Sequence, residues 1–172
     1  MPCDEVYRIP LVVRLPGHVP AGQATDHLVQ THDLPHTFLD LLGLPALPFA
    51  DGRSLAPLFA DPRRADWEDA ILCVGYGCEF FVTQRMVITD RYKYVFNGFD
   101  EDEMYDLRDD PGELRNLIAD PAHTGARSEL RGKLYALMNR FGDPYGDVGY
   151  AMAGGGGNRP NRYNAPRYLP RS

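Results

Sequence analysis

The chain has 172 residues, 44% hydrophobic and 24% charged, with a formal net charge of −6, the composition of an ordinary globular protein able to bury a core. Net acidity argues against a general nucleic-acid binder or a binder of anionic membrane surfaces, and no apolar run approaches the ~20 residues needed to span a bilayer. Three cysteines without the spacing of a metal knuckle argue against a disulfide framework and favour a reducing compartment.

The opening MPCDEVYRIP lacks the basic-then-apolar layout of a signal peptide, which points to the cytoplasm if the chain is complete. Ile9 to Leu15, interrupted only by Pro10 and Arg14, reads as a short strand that is apolar on both faces, the pattern of a parallel sheet covered on each side. No alternating βαβ units follow to build that sheet. Pro16 to Pro20 is a turn-rich connector.

Asp33 is placed to cap a helix, with Pro35 in its first turn. Leu34, Phe38, Leu41 and Leu42 share one face, and Gly43 is a natural stop. Ala46 to Pro62 reads as irregular, with a helical turn at Leu55 to Phe59 and Ser54 as its cap.

Ala70 to Val74 has strand character, and Cys78 to Val82 would extend that strand or form its loop. Arg85 to Thr89 and Tyr92 to Asn97 flank an Asp90-Arg91 turn, and Met104 to Leu107 follows an acidic loop, so the four runs predict an antiparallel meander. It closes in Asp109-Asp110-Pro111-Gly112, after which a short helix is expected from Glu113. A long helix is predicted from about Pro121 to Phe141. Asp120 would cap it, Leu130, Leu134, Leu137, Met138 and Phe141 form its stripe, and Gly142 and Pro144 end it. From Tyr145 the composition shifts to Gly, Asn, Pro, Arg and Tyr, that of a flexible tail.

RMVITDRYKYVFN followed by EMYDLRDDPGELRNL resembles the C-terminal subdomain of formylglycine-dependent sulfatases, in the alkaline-phosphatase-like superfamily. YRIPLVVRLPG and DLPHTFLDLLGLPALPFADGRSLAPLF resemble the segment joining that subdomain to the catalytic core, and the likeness runs from residue 5 to 142. It implies an α+β unit: a small antiparallel sheet of about four strands packed with a C-terminal helix, plus a junction strand and helix belonging to a missing α/β core. The expected organisation is a junction over 1–62, the subdomain over 63–143 and the tail over 144–172.

For the complete enzyme the resemblance implies hydrolysis of a sulfate ester, or in close relatives a phosphate or phosphonate ester. The nucleophile would be a formylglycine made from a Cys-x-Pro-x-Arg site, with calcium or magnesium held by Asp and Asn. Cys3, Cys73 and Cys78 are followed by Asp-Glu-Val, Val-Gly-Tyr and Glu-Phe-Phe, so none fits that motif. No catalytic residue and no metal ligand is assigned here, and the chain alone is expected to be inactive. Loops of this subdomain overhang the active-site mouth in the family, which makes Tyr76 and Arg85 candidate substrate contacts; the plainer reading is a sheet-end aromatic and an exposed arginine.

Other groups favour structural readings. Asp100 to Glu103 fails as a calcium loop, since the sixth and twelfth positions are Tyr105 and Pro111 rather than Gly and Glu, and reads as a charged hairpin loop. His27, His32 and His36 with Asp26 and Asp33 could bind zinc, but His32 precedes the helix that carries His36. Cys73 and Cys78 have no neighbouring base. Arg91, Lys93 and Arg108 sit near acidic residues and read as ion-paired or solvated, and the Arg/Tyr tail could stack on single-stranded nucleic acid only against the acidity of the rest. The expected partner is the missing catalytic core or a separate catalytic chain, with self-association through exposed apolar segments. The alternative is a stand-alone binding or assembly module.

Overall fold

The computed structural model describes residues 4–48, 50–68, 70–76, 83–98 and 100–143, without the side chains of Glu5, Tyr76 and Thr83. Its elements are α1 (Asp4–Tyr7), α2 (Asp33–Leu41), α3 (Ala56–Ala60), β1 (Ala70–Tyr76), β2 (Thr83–Thr89), β3 (Tyr92–Asn97), β4 (Glu103–Asp106), a 3-10 turn (Pro121–His123) and α4 (Thr124–Phe141). The strands form one antiparallel sheet in sequence order, and the fold is α+β. The expected tail and the Cys78–Val82 extension lie outside the described residues.

Register sets the two faces. Leu72 stands opposite Val87, Val87 opposite Tyr94, and Tyr94 opposite Met104, so these four make one row across the sheet. Leu130, Leu134, Leu137 and Met138 of α4 pack onto it, with Ala70 and Leu117 completing the cluster. Burying a leucine or methionine contributes about 1.5–3 kcal/mol, so this face is the main source of stability. Asp120 caps the entry to α4 by accepting from the Ala122 N–H at 3.0 Å, and Gly142 ends the helix in the left-handed conformation that glycine adopts without steric cost. The outer edge of β4 is closed by Asn116, whose Oδ1 accepts from the Met104 N–H at 3.0 Å, and by Leu117, whose N–H donates to the Met104 carbonyl.

A second cluster gathers Leu55, Leu58 and Trp67, with Val29, Leu34 and Phe59 against it. The Trp67 indole N–H donates to the Leu28 carbonyl at 2.9 Å, and Arg53 stacks 3.7 Å over the ring. Glu68 joins this cluster to the helix layer through Arg140, at 2.6 Å.

Three expectations are corrected. Residues 9–15 run as irregular chain, because a strand needs a neighbour for its backbone groups and no described strand lies beside them. No helix starts at Glu113; that residue takes a φ of 53°, rare for a side chain with a Cβ, and its carboxylate reaches Lys93. Asp33 does not cap α2. The helix begins at Asp33 itself, behind a His32 that makes no side-chain cap bond. The Asp33 carboxylate instead accepts from the Gln30 N–H at 2.8 Å and the Arg53 N–H at 3.0 Å, tying together the chain on both sides of the helix.

The buried face of α2 is therefore polar: Asp33, His36 and Thr37 point inward. Thr37 Oγ1 donates to the Asp33 carbonyl at 2.8 Å and accepts from the Leu55 N–H at 2.9 Å. Of the expected apolar stripe, Leu34 packs inward while Phe38 and Leu42 face solvent.

Candidate functional site

The sheet end that carries the candidate contacts is built by the last residues of β1 and the first of β2. The backbone of Tyr76 pairs with Thr83, and Val74 pairs with Arg85 two positions further along. Arg85 is 1% exposed, where an exposed side chain was the plainer expectation. Its Nε donates to Asp143 Oδ2 at 2.7 Å and Nη1 to the Gln84 carbonyl at 3.1 Å. The guanidinium thus bolts the start of β2 to the residue just past α4. A buried charge is tolerated only with such a partner.

The face of the sheet opposite α4 carries a second buried charge. Lys93 Nζ is fully buried and lies 2.8 Å from Asp4 Oδ1, and it also bonds Glu113 Oε1. The Asp4 N–H donates to Glu113 Oε2 at 2.9 Å, closing a ring of three residues distant in sequence. Burial opposes the charged form of this lysine, but the bonds from Asp4 and Glu113 outweigh it and hold the pKa above its ordinary value. Beside it, burial pushes the Cys73 thiol up to about 11 against the opposing field of Lys93. Burial, helped by Cys73, likewise raises the Tyr7 phenol. Neither is a nucleophile at neutral pH.

The remaining groups resolve into scaffolding. Asp106 accepts from Arg91 Nε and Nη2 at 2.9 and 2.8 Å and from the Arg108 N–H at 3.1 Å. Arg108 pairs with Asp90. In the acidic loop, Asp102 accepts from the Tyr94 hydroxyl and the Asn97 N–H, and Glu103 accepts from Asn97 Nδ2 and the Tyr105 hydroxyl. Burial, reinforced by Asp102, raises the Tyr94 pKa. Ser54 Oγ accepts from the Ala56 N–H at 3.1 Å, but it stands one residue ahead of the N-cap of α3, which is Leu55 and makes no side-chain cap bond.

The histidines are not brought together. His27 lies against the Trp67 ring with centroids 6.2 Å apart, His32 sits 4.0 Å from Asp33, and His36 is buried with no hydrogen-bond partner for Nε2 among the described residues. Among those residues no three His, Cys, Asp or Glu side chains converge where a metal ion could be held.

A family model described as N-sulphoglucosamine sulphohydrolase, C-terminal, matches residues 1–140. The chain belongs to this sulfatase C-terminal family. The Δ4,5-hexuronate-2-O-sulfatase of Bacteroides thetaiotaomicron is 32% identical over 150 residues, covering 83% of this chain and 31% of that protein. An uncharacterized protein of Haemophilus influenzae is 33% identical over 119 residues, 69% of this chain and 61% of its own length. A solved structure with the bound substrate D-glucosamine-2-N,6-O-disulfate superposes with a TM-score of 0.71 at 26% identity, over 76% of this chain and 28% of that one. The chain spans less than a third of most curated sulfatases it matches, between 26% and 32% of three of them.

The motif that carries the sulfatase likeness has a physical account in this sheet. Asp106 anchors Arg91, Asp110 accepts from the Arg115 N–H at 2.8 Å, Asn116 closes the β4 edge and Leu117 enters the core. These are folding roles. Among the described residues, the half-buried Cys73, with its thiol pKa raised, and the dispersed carboxylates and histidines do not fit a formylglycine or a divalent cation. Sequence reasoning missed the ring of Asp4, Lys93 and Glu113. Its one local signal was a lysine inside the apolar run Tyr92 to Phe96.

Proposed function

We propose that the chain is the C-terminal subdomain of a sulfatase-like hydrolase and acts by completing the catalytic α/β core of that same enzyme. The observation that carries this reading is the set of large apolar side chains left in water: Ile9, Leu11, Val12 and Val13 on the leading segment, and Phe38, Leu42, Leu44 and Leu47 on and after α2. Exposed apolar surface on this scale marks an interface. In this reading residues 1–62 are the junction, 63–143 the subdomain and 144–172 the tail.

The complete enzyme would cleave a sulfuric ester, or a phosphate or phosphonate ester, with formylglycine and calcium or magnesium supplied by the core. Tyr76 and Arg85 would serve at the mouth of that site. With Arg85 held by Asp143, its part would be to fix the sheet end from which Tyr76 reaches the substrate.

Two measurements test this. The purified 172-residue protein is expected to turn over no aryl sulfate, and measurable turnover would overturn the assignment. Reading the DNA upstream of the Met1 codon in frame is expected to yield a Cys-x-Pro-x-Arg motif with an Asp/Asn metal pair. A stop codon without that motif would favour a second reading, a module acting on a separate catalytic chain. The coverage of the Haemophilus influenzae protein, 61% of its length, supports that second reading.

A further inference from the structure

The two ion-pair systems buried under the sheet ends differ in what they join. Arg85 and Asp143 link parts of the subdomain to one another. Lys93 links β3 to Asp4 of the leading segment and to Glu113 beyond β4, two positions more than a hundred residues apart. We infer that Lys93, Asp4 and Glu113 form a latch that fixes the leading segment against the sheet and, through Tyr7, sets the end of β1 that carries Tyr76. The inference rests on the sulfatase-subdomain reading for its meaning but not for its test.

Three observations support the latch. Of the apolar side chains in residues 4–8, Val6 is exposed and only Tyr7 is turned to the sheet; the polar contacts that seat the segment are the Lys93 salt bridge and the Asp4 N–H bond to the Glu113 carboxylate. Glu113 adopts a positive φ that a glycine would accept more easily, so its carboxylate is retained at a conformational cost. Tyr7, within the same turn as Asp4, lies so close to β1 that a Cβ on Gly75 would stand 3.1 Å from its hydroxyl. Gly75 is the neighbour of Tyr76. A shift of the leading segment is thus transmitted by contact to the end of the sheet that carries Tyr76. Lys93 and Glu113 are positioning residues in this scheme.

Hydrogen exchange followed by mass spectrometry on the 172-residue protein tests the latch with Lys93→Met, Asp4→Asn and Glu113→Gly. Removing one partner of a buried ion pair leaves the others uncompensated. Lys93→Met is expected to lower protection of residues 4–8 about a hundredfold, and of Gly75 and Tyr76 by a smaller factor, while the Val87 and Tyr94 amides behind α4 keep theirs. Asp4 lies at the rim of the sheet, so Asp4→Asn gives the same loosening without threatening the core. Glu113→Gly separates backbone from side chain: a role in turn geometry alone would leave residues 4–8 as protected as before or more so, and the latch requires that they loosen. Wild-type protection of residues 4–8 in Asp4→Asn and Glu113→Gly would overturn the latch. Loosening of 4–8 with Gly75 and Tyr76 unchanged would overturn the coupling to β1. Neither result bears on upstream DNA or turnover, so the sulfatase reading stands or falls separately.

Discussion

Replacing Phe38 and Leu42 together by lysine separates a face that is finished from one that waits for a partner. In the chain as it stands, Phe38 is 60% and Leu42 71% exposed, so most of what either side chain could contribute by burial is not realised in the folded state. Lysine is a good helix former, and at the C-terminal end of α2 its charge is favourable to the helix dipole. Folding stability should therefore change by no more than about 0.5 kcal/mol. Association is a different matter. Full burial of such side chains is worth about 1.5–3 kcal/mol each, and the unburied share of the two together comes to about 3 kcal/mol, or roughly a hundredfold in affinity. The penalty for burying two unpaired ammonium groups adds to it. Urea denaturation followed by circular dichroism reads the first quantity and sedimentation velocity over a concentration series reads the second. The wild-type chain should self-associate, and the double variant should be monomeric at the same concentrations with an unchanged urea midpoint. A stability loss above about 2 kcal/mol would mean that the outer face of α2 is already covered, and undiminished association would mean that the contact lies elsewhere; either result refutes the reasoning.

Two further outcomes follow from local geometry. Burial pushes Cys73 up to about 11, so it should resist iodoacetamide in the native protein at pH 8 and react in urea, as read from the peptide that contains it. Because the folded pKa is the raised one, the stability it confers, about 2–3 kcal/mol, is complete below the ordinary thiol pKa and is lost as pH rises toward 11; a native reaction rate equal to that in urea would contradict this. A Cβ on Gly52 would meet the His32 carbonyl at 2.1 Å, a backbone clash with nothing flexible to yield. Gly52→Ala should cost at least about 2 kcal/mol, seen as a drop in Tm of about 4 °C or more, and an unchanged Tm would show that the approach is looser than described.

The meander and α4 were legible because their signals are local. Alternating β-branched and aromatic runs around Asp90-Arg91 and a leucine stripe from Leu130 to Phe141 each name one element and one buried face. The fate of α2 was not legible. Helical spacing puts Leu34, Phe38 and Leu42 on one side of α2, yet the chain covers Leu34 and leaves Phe38 and Leu42 in water, and spacing alone does not say how far the cover extends. Asp33 shows a related limit: its position favoured a cap, and two backbone N–H groups from flanking loops outbid the helix start. For Lys93 the partners are Asp4 and Glu113, and no pattern along the chain connects residues so far apart. Only the folded sheet does, and it draws Glu113 out of the helix expected there.

The distribution of charge and apolar surface also fixes how a partner should bind. Lys93, Arg85 and Asp106 are buried, and each meets an opposite charge within the chain, whereas Val12, Phe38 and Leu42 are left in water. These buried charges thus find their partners inside the chain, while much of its large apolar surface finds no cover there. A partner that covers it has to present apolar surface, and its attraction should owe little to long-range charge. Association should then keep nearly the same strength between 0.05 and 0.5 M salt, since screening acts on exposed charges, and should carry a negative heat-capacity change. Calorimetric titration of this chain onto the proposed catalytic core measures both. An affinity that collapses with salt would place the contact on the acidic surface instead, and would move the junction away from residues 9–15 and α2.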